Sequence, residues 1–197
     1  MSNIVTAPDE VLSTPAKPYV FQKGLPAGRQ GDKSLPVLLK NMEEALLGAH
    51  DPKGVGLAAP QIGKSLAIFM AKPTEKSRIS VFINPKIVEL EQDPNSPNIP
   101  NLPNRPKKRV RKLEGCLSLP TIWGEVKRAP EVSLQYQTPS GSLRTKKFTG
   151  FMAIIVQHEV DHLHGILFPR RVLEQKGKLY KSSKNEKGED EFEEITI

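Results

Sequence analysis

The sequence is poor in cysteine, in aromatic residues and in long apolar runs. Cys116 is the single cysteine, which excludes an internal disulfide and fits a reducing compartment. No stretch approaches the roughly 20 apolar residues that a membrane-spanning helix needs. The first residues include Asp9 and Glu10 and resemble neither a signal peptide nor a transit peptide. We therefore expect a cytoplasmic protein with no membrane association.

Hydrophobic residues are also scarce, at 37% of the chain, whereas prolines number 18 in 197 residues. This balance is typical of one globular domain that carries polar, irregular insertions. The formal net charge of +7 favours polyanionic neighbours such as RNA or ribosomes through non-specific attraction. No RNA-binding motif accompanies the charge, so we expect no specific nucleic-acid partner, and an ordinary basic enzyme is the simpler interpretation.

Two segments have the composition of insertions. Residues 22–33 are polar and rich in glycine, which predicts a loop. Residues 91–112 contain five prolines and four asparagines, and six basic residues crowd their second half. Proline blocks both helices and strand pairing, so we expect an exposed loop there. An arm that contacts nucleic acid is the alternative, but a solvated loop explains the charge block as well.

Apolar periodicity predicts the regular elements. A helix is predicted over 35–49 and a second, buried helix from Gly150 to Gly165. Strands are predicted at 66–71, 79–85, 86–90, 131–136 and 143–148, the last two joined in a hairpin through 139–141. The charged residues 176–197 predict a frayed helix or a mobile terminus. This mixture indicates an α+β fold.

The strongest chemical signal is the HExxH sequence from His158 to His162. Residues four apart lie on one face of a helix, so two imidazoles there can bind one metal ion, with Glu159 beside them as a general base. Such a match also arises by chance, and a histidine can be an ordinary core residue. However, burying Glu159 and Asp161 on an apolar helix without a charge partner is costly, and a metal ion offsets much of that cost.

Cys116 is the candidate third ligand. A lone cysteine is most often a small core residue, but a thiolate is also a strong ligand for iron or zinc. One cysteine and two histidines leave an open position for water, which is typical of a catalytic rather than a structural site.

Three segments resemble the signature motifs of the peptide deformylase family. They are GVGLAAPQ (54–61), EGCLS (114–118) and QHEVDHL (157–163), in the family's order and with Ile83-Asn84-Pro85 between the first two. The resemblance covers most of residues 4–170. It implies an α+β fold in which mixed or antiparallel strands pack around a central helix that bears HExxH. It also implies an enzyme that removes the formyl group from N-formylmethionyl nascent peptides.

The resemblance implies a role for each matching residue. Cys116, His158 and His162 match the ligands of one divalent metal ion, with Fe²⁺ favoured and Zn²⁺, Ni²⁺ or Co²⁺ as alternatives. Glu159 matches the general base that acts on a metal-bound water and then protonates the leaving amine. The side-chain amide of Gln61 and the backbone N–H of Leu117 match the groups that stabilise the oxyanion.

The same resemblance suggests where substrate binds. Gly56 would let the substrate chain lie close. Val55, Ile154 and Ile155 flank the motifs and are candidates for an apolar pocket that takes the methionine side chain, although each could equally be core packing. Glu114 and Arg128 are similar to an ion pair of the family near the site, with simple surface charges as the alternative.

The resemblance divides the chain at residue 170. Residues 1–170 would form a catalytic domain that carries the insertions 22–33 and 91–112, and residues 171–197 would be a charged C-terminal extension. The second insertion is longer than the link usual in the family, and its basic end suggests an effect on substrate access or ribosome docking.

Two other functions remain open from the sequence. A zincin-type endopeptidase shares HExxH but takes its third ligand downstream, where Glu186 and Asp190 have a suitable spacing. A basic module that binds RNA or ribosomes around a purely structural metal is the second alternative. A structural site would normally have a fourth protein ligand, and none is evident.

Overall fold

The computed structural model describes residues 4–21, 34–50, 52–91 and 113–196. Both predicted insertions lie outside these residues, except for Glu91, which ends a strand. The described chain forms three α-helices: α1 (Ser34–Gly48), α2 (Gly150–Leu163) and α3 (Phe168–Glu174). Its strands are β1 (Gly56–Ala58), β2 (Ile68–Ala71), β3 (Ser80–Glu91), β4 (Leu113–Cys116), β5 (Leu119–Glu125), β6 (Glu131–Gln137), β7 (Leu143–Thr149), β8 (Leu179–Lys184) and β9 (Asp190–Ile195).

The first helix follows its apolar periodicity. Leu35, Met42, Ala45 and Leu46 are buried on one face of α1, as spacings of three, four and seven residues require. The helix begins and ends one residue earlier than predicted. Its buried face packs with β1 and β2 in an apolar cluster.

The larger sheet has five strands in the order β1-β2-β3-β6-β7, and every pair is antiparallel. The strands predicted at 79–85 and 86–90 are one strand, β3, whose pairing with β6 shifts register around Asn84 and Pro85. Such a bulge accommodates a proline that cannot donate to the ladder. Asn84 adopts a φ of +49°, and its side chain bonds both to the backbone of Tyr19 and to Gln137.

The second long helix, α2, packs against this sheet. Ala153, Ile155, Val156 and Val160 lie in one apolar cluster with side chains from β1, β2, β3, β6 and β7. The helix ends close to the predicted position, where Gly165 adopts a φ of +69°, a conformation that favours glycine. Sheet packing thus fixes the orientation of the helix that bears HExxH.

The smaller sheet has four antiparallel strands in the order β4-β5-β8-β9. The prediction of a frayed helix or mobile terminus over 176–197 is wrong, because residues 179–195 form the hairpin β8–β9. The turn is specified by Asn185, whose side chain accepts hydrogen bonds from the backbone of Lys187 and Glu189. Leu179 is buried against α3, and its burial anchors the hairpin.

The α+β fold with antiparallel sheets is therefore confirmed. Parallel pairing among the described residues is limited to the single bridge between Lys17 and Leu66. In the described part of the chain, no helix is both long and apolar enough to span a bilayer.

Candidate metal centre

The candidate metal centre is built from two parts of the fold. The rings of His158 and His162 lie one turn apart on α2, with centroids 5.0 Å apart. Cys116 comes from the end of β4, and its Sγ lies 3.2 Å from Nε2 of His162. One ligand atom from each of the three residues lies within 4.8 Å of the others, and no other such His, Cys, Asp or Glu group occurs in the described ranges.

The turn after β4 places Cys116. Cys116 pairs with Leu119 across the turn at residues 117–118, and the pairing of β4 with β5 shifts register between Gly115 and Cys116. A β-carbon added at Gly115 would lie 2.8 Å from the Trp123 ring, which shows why this position needs a glycine. The cysteine is buried and its thiol takes part in no disulfide.

The donor set fits a divalent cation. Burial raises the pKa of Cys116, but the nearby imidazoles of His162 and His158 outweigh it and hold the pKa at about 5. The thiol is therefore ionised at neutral pH, as a metal ligand must be. Nδ1 of His162 and Oε2 of Glu159 are buried without a hydrogen-bond partner among the described residues. The unpartnered Oε2 of Glu159 beside a thiolate is an arrangement that a cation-bound water would complete.

A carboxylate orients the first histidine. Nδ1 of His158 lies 3.0 Å from Oε2 of Glu114, so this nitrogen is the natural donor and Nε2 is left for a metal. Burial alone would raise the pKa of Glu114. Its bonds to His158 and Arg128 together outweigh burial and lower the pKa to about 2. Burial lowers the pKa of His158, but Cys116 and Glu114 raise it well above its usual value. Cation binding would therefore release a proton here.

Glu159 occupies a different environment from Glu114. Burial raises its pKa to about 7, although the nearby histidines act in the opposite direction. Its side chain lies against Gly56 of β1. A β-carbon at Gly56 would collide with Oε1 of Glu159 and lie 2.8 Å from its Cδ. Gly56 thus has a reason to be glycine that the sequence did not reveal, because it leaves room for this carboxyl group.

The orientation of Gln61 is fixed by its neighbours. Its Oε1 accepts a hydrogen bond of 2.8 Å from the backbone N–H of Ala58, so the side-chain nitrogen must point the other way. That nitrogen donates to Oγ of Ser118 at 3.2 Å and lies 3.6 Å from Sγ of Cys116. Gln61 therefore directs N–H donors toward the ligand cluster. Leu117 directly follows Cys116 in the turn between β4 and β5.

The residues predicted to contact the methionine side chain lie in unequal environments. Ile155 is 3% exposed and belongs to the core cluster, while Val55 is half-buried against that cluster. Ile154 is half-buried and precedes His158 by one helical turn, so it shares the ligand face of α2.

The sequence did not reveal the full extent of the charge pairing. Arg128 and Glu114 are paired, and both are almost completely buried, so they are not simple surface charges. Arg128 also bonds to Asp161, which in turn binds Arg171 of α3. These contacts join residues far apart in sequence, and no local spacing indicates them.

The ligand cluster does not include the residues that the endopeptidase alternative requires. Glu186 and Asp190 are exposed in and beside the β8–β9 turn, and the third ligand atom of the cluster belongs to Cys116. The zincin-type alternative therefore loses its structural basis in the described chain.

Comparisons with known proteins agree with this geometry. Residues 1–178 match the family model of polypeptide deformylase. The chain is 36% identical over 171 residues to peptide deformylase 1 of Bacillus cereus, covering 86% of this chain and 90% of that protein. It is 34% identical over 175 residues to the peptide deformylase of Neisseria meningitidis, covering 88% of each.

Solved structures give the same result. The peptide deformylase of Thermotoga maritima aligns with a TM-score of 0.66 and 31% identity, covering 87% of this chain and 97% of that one. The Met-Ala-Ser-bound class I type b peptide deformylase of Acinetobacter baumannii aligns with a TM-score of 0.67 and 31% identity, covering 87% and 99%. Sequence and structure lead to the same conclusion, that the chain belongs to the polypeptide deformylase family.

Proposed function

We propose that this protein hydrolyses the formyl amide of N-formylmethionyl peptides, releasing formate and a free N-terminal amine. Water adds to the formyl carbon, the C–N bond breaks, and the amine nitrogen takes up a proton. The observation that carries the proposal is the cluster of buried Cys116, half-buried His158 and buried His162, with the buried Glu159 beside it. Family membership supports the same reaction, since the relatives are named peptide deformylases.

Cys116, His158 and His162 would hold one divalent cation. A thiolate and two imidazoles suit Fe²⁺, which we favour, and also Zn²⁺, Ni²⁺ or Co²⁺. When bound, the cation supplies Lewis acidity, which makes water a nucleophile at neutral pH and polarises a carbonyl oxygen. Three protein ligands leave room for water and substrate, as a catalytic site requires.

Glu159 would act as the general base and then as the proton donor. Its burial without a hydrogen-bond partner for Oε2 among the described residues keeps the pKa near neutrality, at about 7. A carboxyl group with such a pKa both accepts a proton from water and returns it to the leaving amine without a large penalty in either direction.

Gln61 and Leu117 would stabilise the negative charge that develops on the formyl oxygen. The Gln61 amide is already oriented by its bond to Ala58, so its N–H groups need no reorganisation during the reaction. The backbone N–H of Leu117 follows the ligand Cys116 directly and would supply a second donor.

An extended peptide would bind between the two sheets. β1 and β4 are each the edge strand of their sheet, and both carry residues of the site. Edge strands present unpaired backbone groups to which a peptide adds as a further strand. Gly56 lies on β1, where the absence of a side chain allows close approach. Val55, Ile154 and Ile155 would form the apolar wall for the methionine side chain, with Ile155 beneath the other two.

The remaining assignments follow from the same function. Residues 1–170 would be the catalytic domain, arranged around the central helix α2, and residues 171–197 its extension. We also propose a cytoplasmic location and non-specific attraction to the ribosome through the basic surface. Deletion of residues 94–110 tests the second point, because unchanged co-sedimentation with ribosomes would exclude a role for that segment.

The reaction is tested by formate release from formyl-Met-Ala-Ser, with acetyl-Met-Ala-Ser as the control. Protein purified anaerobically with iron should release formate from the first peptide and leave the second intact. Glu159→Gln should retain the metal and lose activity by about a hundredfold to ten-thousandfold, the usual contribution of a general base. Metal-loaded protein that hydrolyses neither peptide would contradict the proposal.

A further inference from the structure

We propose that Arg171 of α3 is a positioning residue for the metal ligand His158. It acts through Asp161, Arg128 and Glu114, which form a continuous row of charged hydrogen bonds between α3 and the site. The inference rests on the proposed function, because it assigns a role to the row only if His158 binds the metal. It places a residue beyond position 170 in the support of the catalytic centre.

The row begins with a two-point contact. Nη2 of Arg171 donates to Oδ1 of Asp161 at 2.7 Å, and Nε donates to Oδ2 at 3.1 Å. Oδ2 of Asp161 also accepts a bond of 2.6 Å from Nη1 of Arg128. Asp161 therefore lies between two guanidinium groups and is held by both.

The row continues to the ligand through a second two-point contact. Arg128 donates from Nε to Oε1 of Glu114 at 2.8 Å and from Nη2 to Oε2 at 3.0 Å. Oε2 of Glu114 is also the atom that lies 3.0 Å from Nδ1 of His158. Planar forks of this kind fix orientation as well as distance. The ring of His158 is thus held by Glu114, which is itself held by Arg128.

The charges show why Arg171 matters to this arrangement. The side chains of Glu114 and Asp161 are each 9% exposed, and Arg128 is 7% exposed. Without Arg171, one buried cation would have to serve two buried carboxylates. A buried carboxylate without enough compensating charge raises the free energy of the folded state. Arg128 would therefore shift toward Asp161 and weaken its two-point contact with Glu114. His158 would then lose part of the support that orients it.

The position of α3 gives the row a second contact with the ligand. Phe168, at the start of α3, is buried, and its ring lies 6.3 Å from that of His158 at an angle of 26°. α3 therefore backs the histidine ring with Phe168 and reaches its carboxylate partner through Arg171. A change at Arg171 would therefore reach the metal through His158, in addition to what it costs in stability.

The neighbouring Arg170 provides a matched control. It lies on the same helix, its side chain is 67% exposed, and it pairs with Glu174 at 3.0 Å. Arg171 also pairs with Glu174 at 3.0 Å, so either substitution removes one bond to that residue. The two arginines differ in their contact with Asp161, and this is the contact to be tested.

The experiment compares Arg171→Ala, Arg171→Lys and Arg170→Ala with the parent protein, each loaded with zinc. Metal release to a competing chelator is measured beside the urea midpoint of unfolding. We expect Arg171→Ala to release zinc about three to ten times faster. This change is no larger than the smallest effects typical of residues that support a metal ligand. Arg171→Lys should restore part of the retention, and Arg170→Ala should match the parent.

Equal release rates for Arg171→Ala and Arg170→Ala would overturn the proposal. Asp161→Asn gives an internal check, since adding Arg171→Ala to that background should change the release rate no further, whereas additive effects would contradict a shared path. Failure of this inference can be distinguished from failure of the proposed function. A parent protein that binds no metal would refute the function, while full loading with indifferent Arg171 variants would refute only this inference.

Discussion

The two sheets of the molecule are stabilised in different ways. The five-stranded sheet shares two large clusters of buried apolar side chains with α1 and α2. The buried cluster of the four-stranded sheet is small and consists of Cys116, Phe168, Val172 and Leu179. Its hairpin adds pairs such as Lys178 with Glu194, but exposed pairs contribute little. Most of the apolar stabilisation thus belongs to the larger sheet.

The proposed metal centre lies where these two regions meet. His158, His162 and Glu159 are placed by the helix on the larger sheet, and Cys116 is supplied by the smaller one. A cation held by all three ligands would join the regions, and its binding free energy would become folding free energy. The weakly packed sheet would then owe part of its placement to the bound cation.

The largest effect should come from removing the proposed ligand that joins the smaller sheet to the metal centre. Cys116→Ala removes the ligand that the smaller sheet contributes, so we expect loss of the bound metal and of activity. The melting temperature of the substituted protein should then no longer rise when metal is added. Metal analysis after gel filtration and calorimetry with and without zinc check this. Retention of one equivalent of metal would show that the third ligand lies elsewhere.

Two buried phenylalanines, one in each core, test whether the two cores support the site equally. Phe82 lies in the larger cluster and Phe168 in the smaller one, and each is 1% exposed. Replacing either with alanine should lower the free energy of unfolding by about 3 to 5 kcal/mol. Only Phe168→Ala should also accelerate metal release, because its ring backs His158. Equal release rates in the two variants would show that the smaller core does not support the site.

Gly56→Ala tests the contact of β1 with Glu159, the proposed general base. A β-carbon there would displace the Glu159 side chain, which supplies its three nearest atoms. We expect kcat/KM to fall by about a hundredfold, the cost of a misplacement near 1 Å, while metal content stays the same. Gly48→Ala is the control, since a β-carbon at Gly48 meets no atom within 4 Å. A fully active Gly56→Ala protein would exclude this account of the glycine.

The smallest effect concerns pH in the metal-free protein. The folded-state pKa of Glu159 is raised to about 7, so it keeps a proton that the unfolded chain loses near pH 4.5. Its contribution is therefore fully present below pH 4.5 and is lost as pH rises through 7. Glu159→Gln should remove this loss, which we expect to be about 2 to 3 kcal/mol. Parallel unfolding curves for both proteins from pH 5 to 8 would contradict the raised pKa.

The sequence predicts the long, periodic elements of the fold well. α1, α2 and the β6–β7 hairpin lie within two residues of their predicted positions. Both helices bury apolar side chains at helical spacing, and β6 buries Val132 and Leu134 on one face. The short strands β1 and β4 are not predicted, because three or four residues are too few to show an alternation of apolar and polar side chains. The prediction of a frayed helix or mobile terminus is wrong for the β8–β9 hairpin because the exposed positions of that hairpin are mostly charged. Its stability comes from a turn at Asn185 and from contacts with β5.

The site was predictable to the extent that motifs are local. HExxH lies within one helix, and the single cysteine, Cys116, is a candidate third ligand even before the family resemblance, and the structure brings it beside both histidines. The contacts of Arg171, Asp161 and Arg128 could not be predicted, because Arg128 and Asp161 are 33 positions apart and meet only through tertiary packing. The same holds for the fit of Gly56 against Glu159. The assigned roles of Gln61, Leu117, Val55, Ile154 and Ile155 stay predictions.

The most direct test of the account is X-ray absorption at the zinc edge of the zinc-loaded protein. We predict one sulfur at about 2.3 Å and two imidazole nitrogens at about 2.0–2.1 Å, completed by an oxygen from water. The sulfur must come from Cys116, since this thiol is the single one in the chain, and Cys116→Ala should retain no zinc after gel filtration. A first shell made of nitrogen and oxygen alone in the parent protein would contradict a metal centre shared between the two sheets.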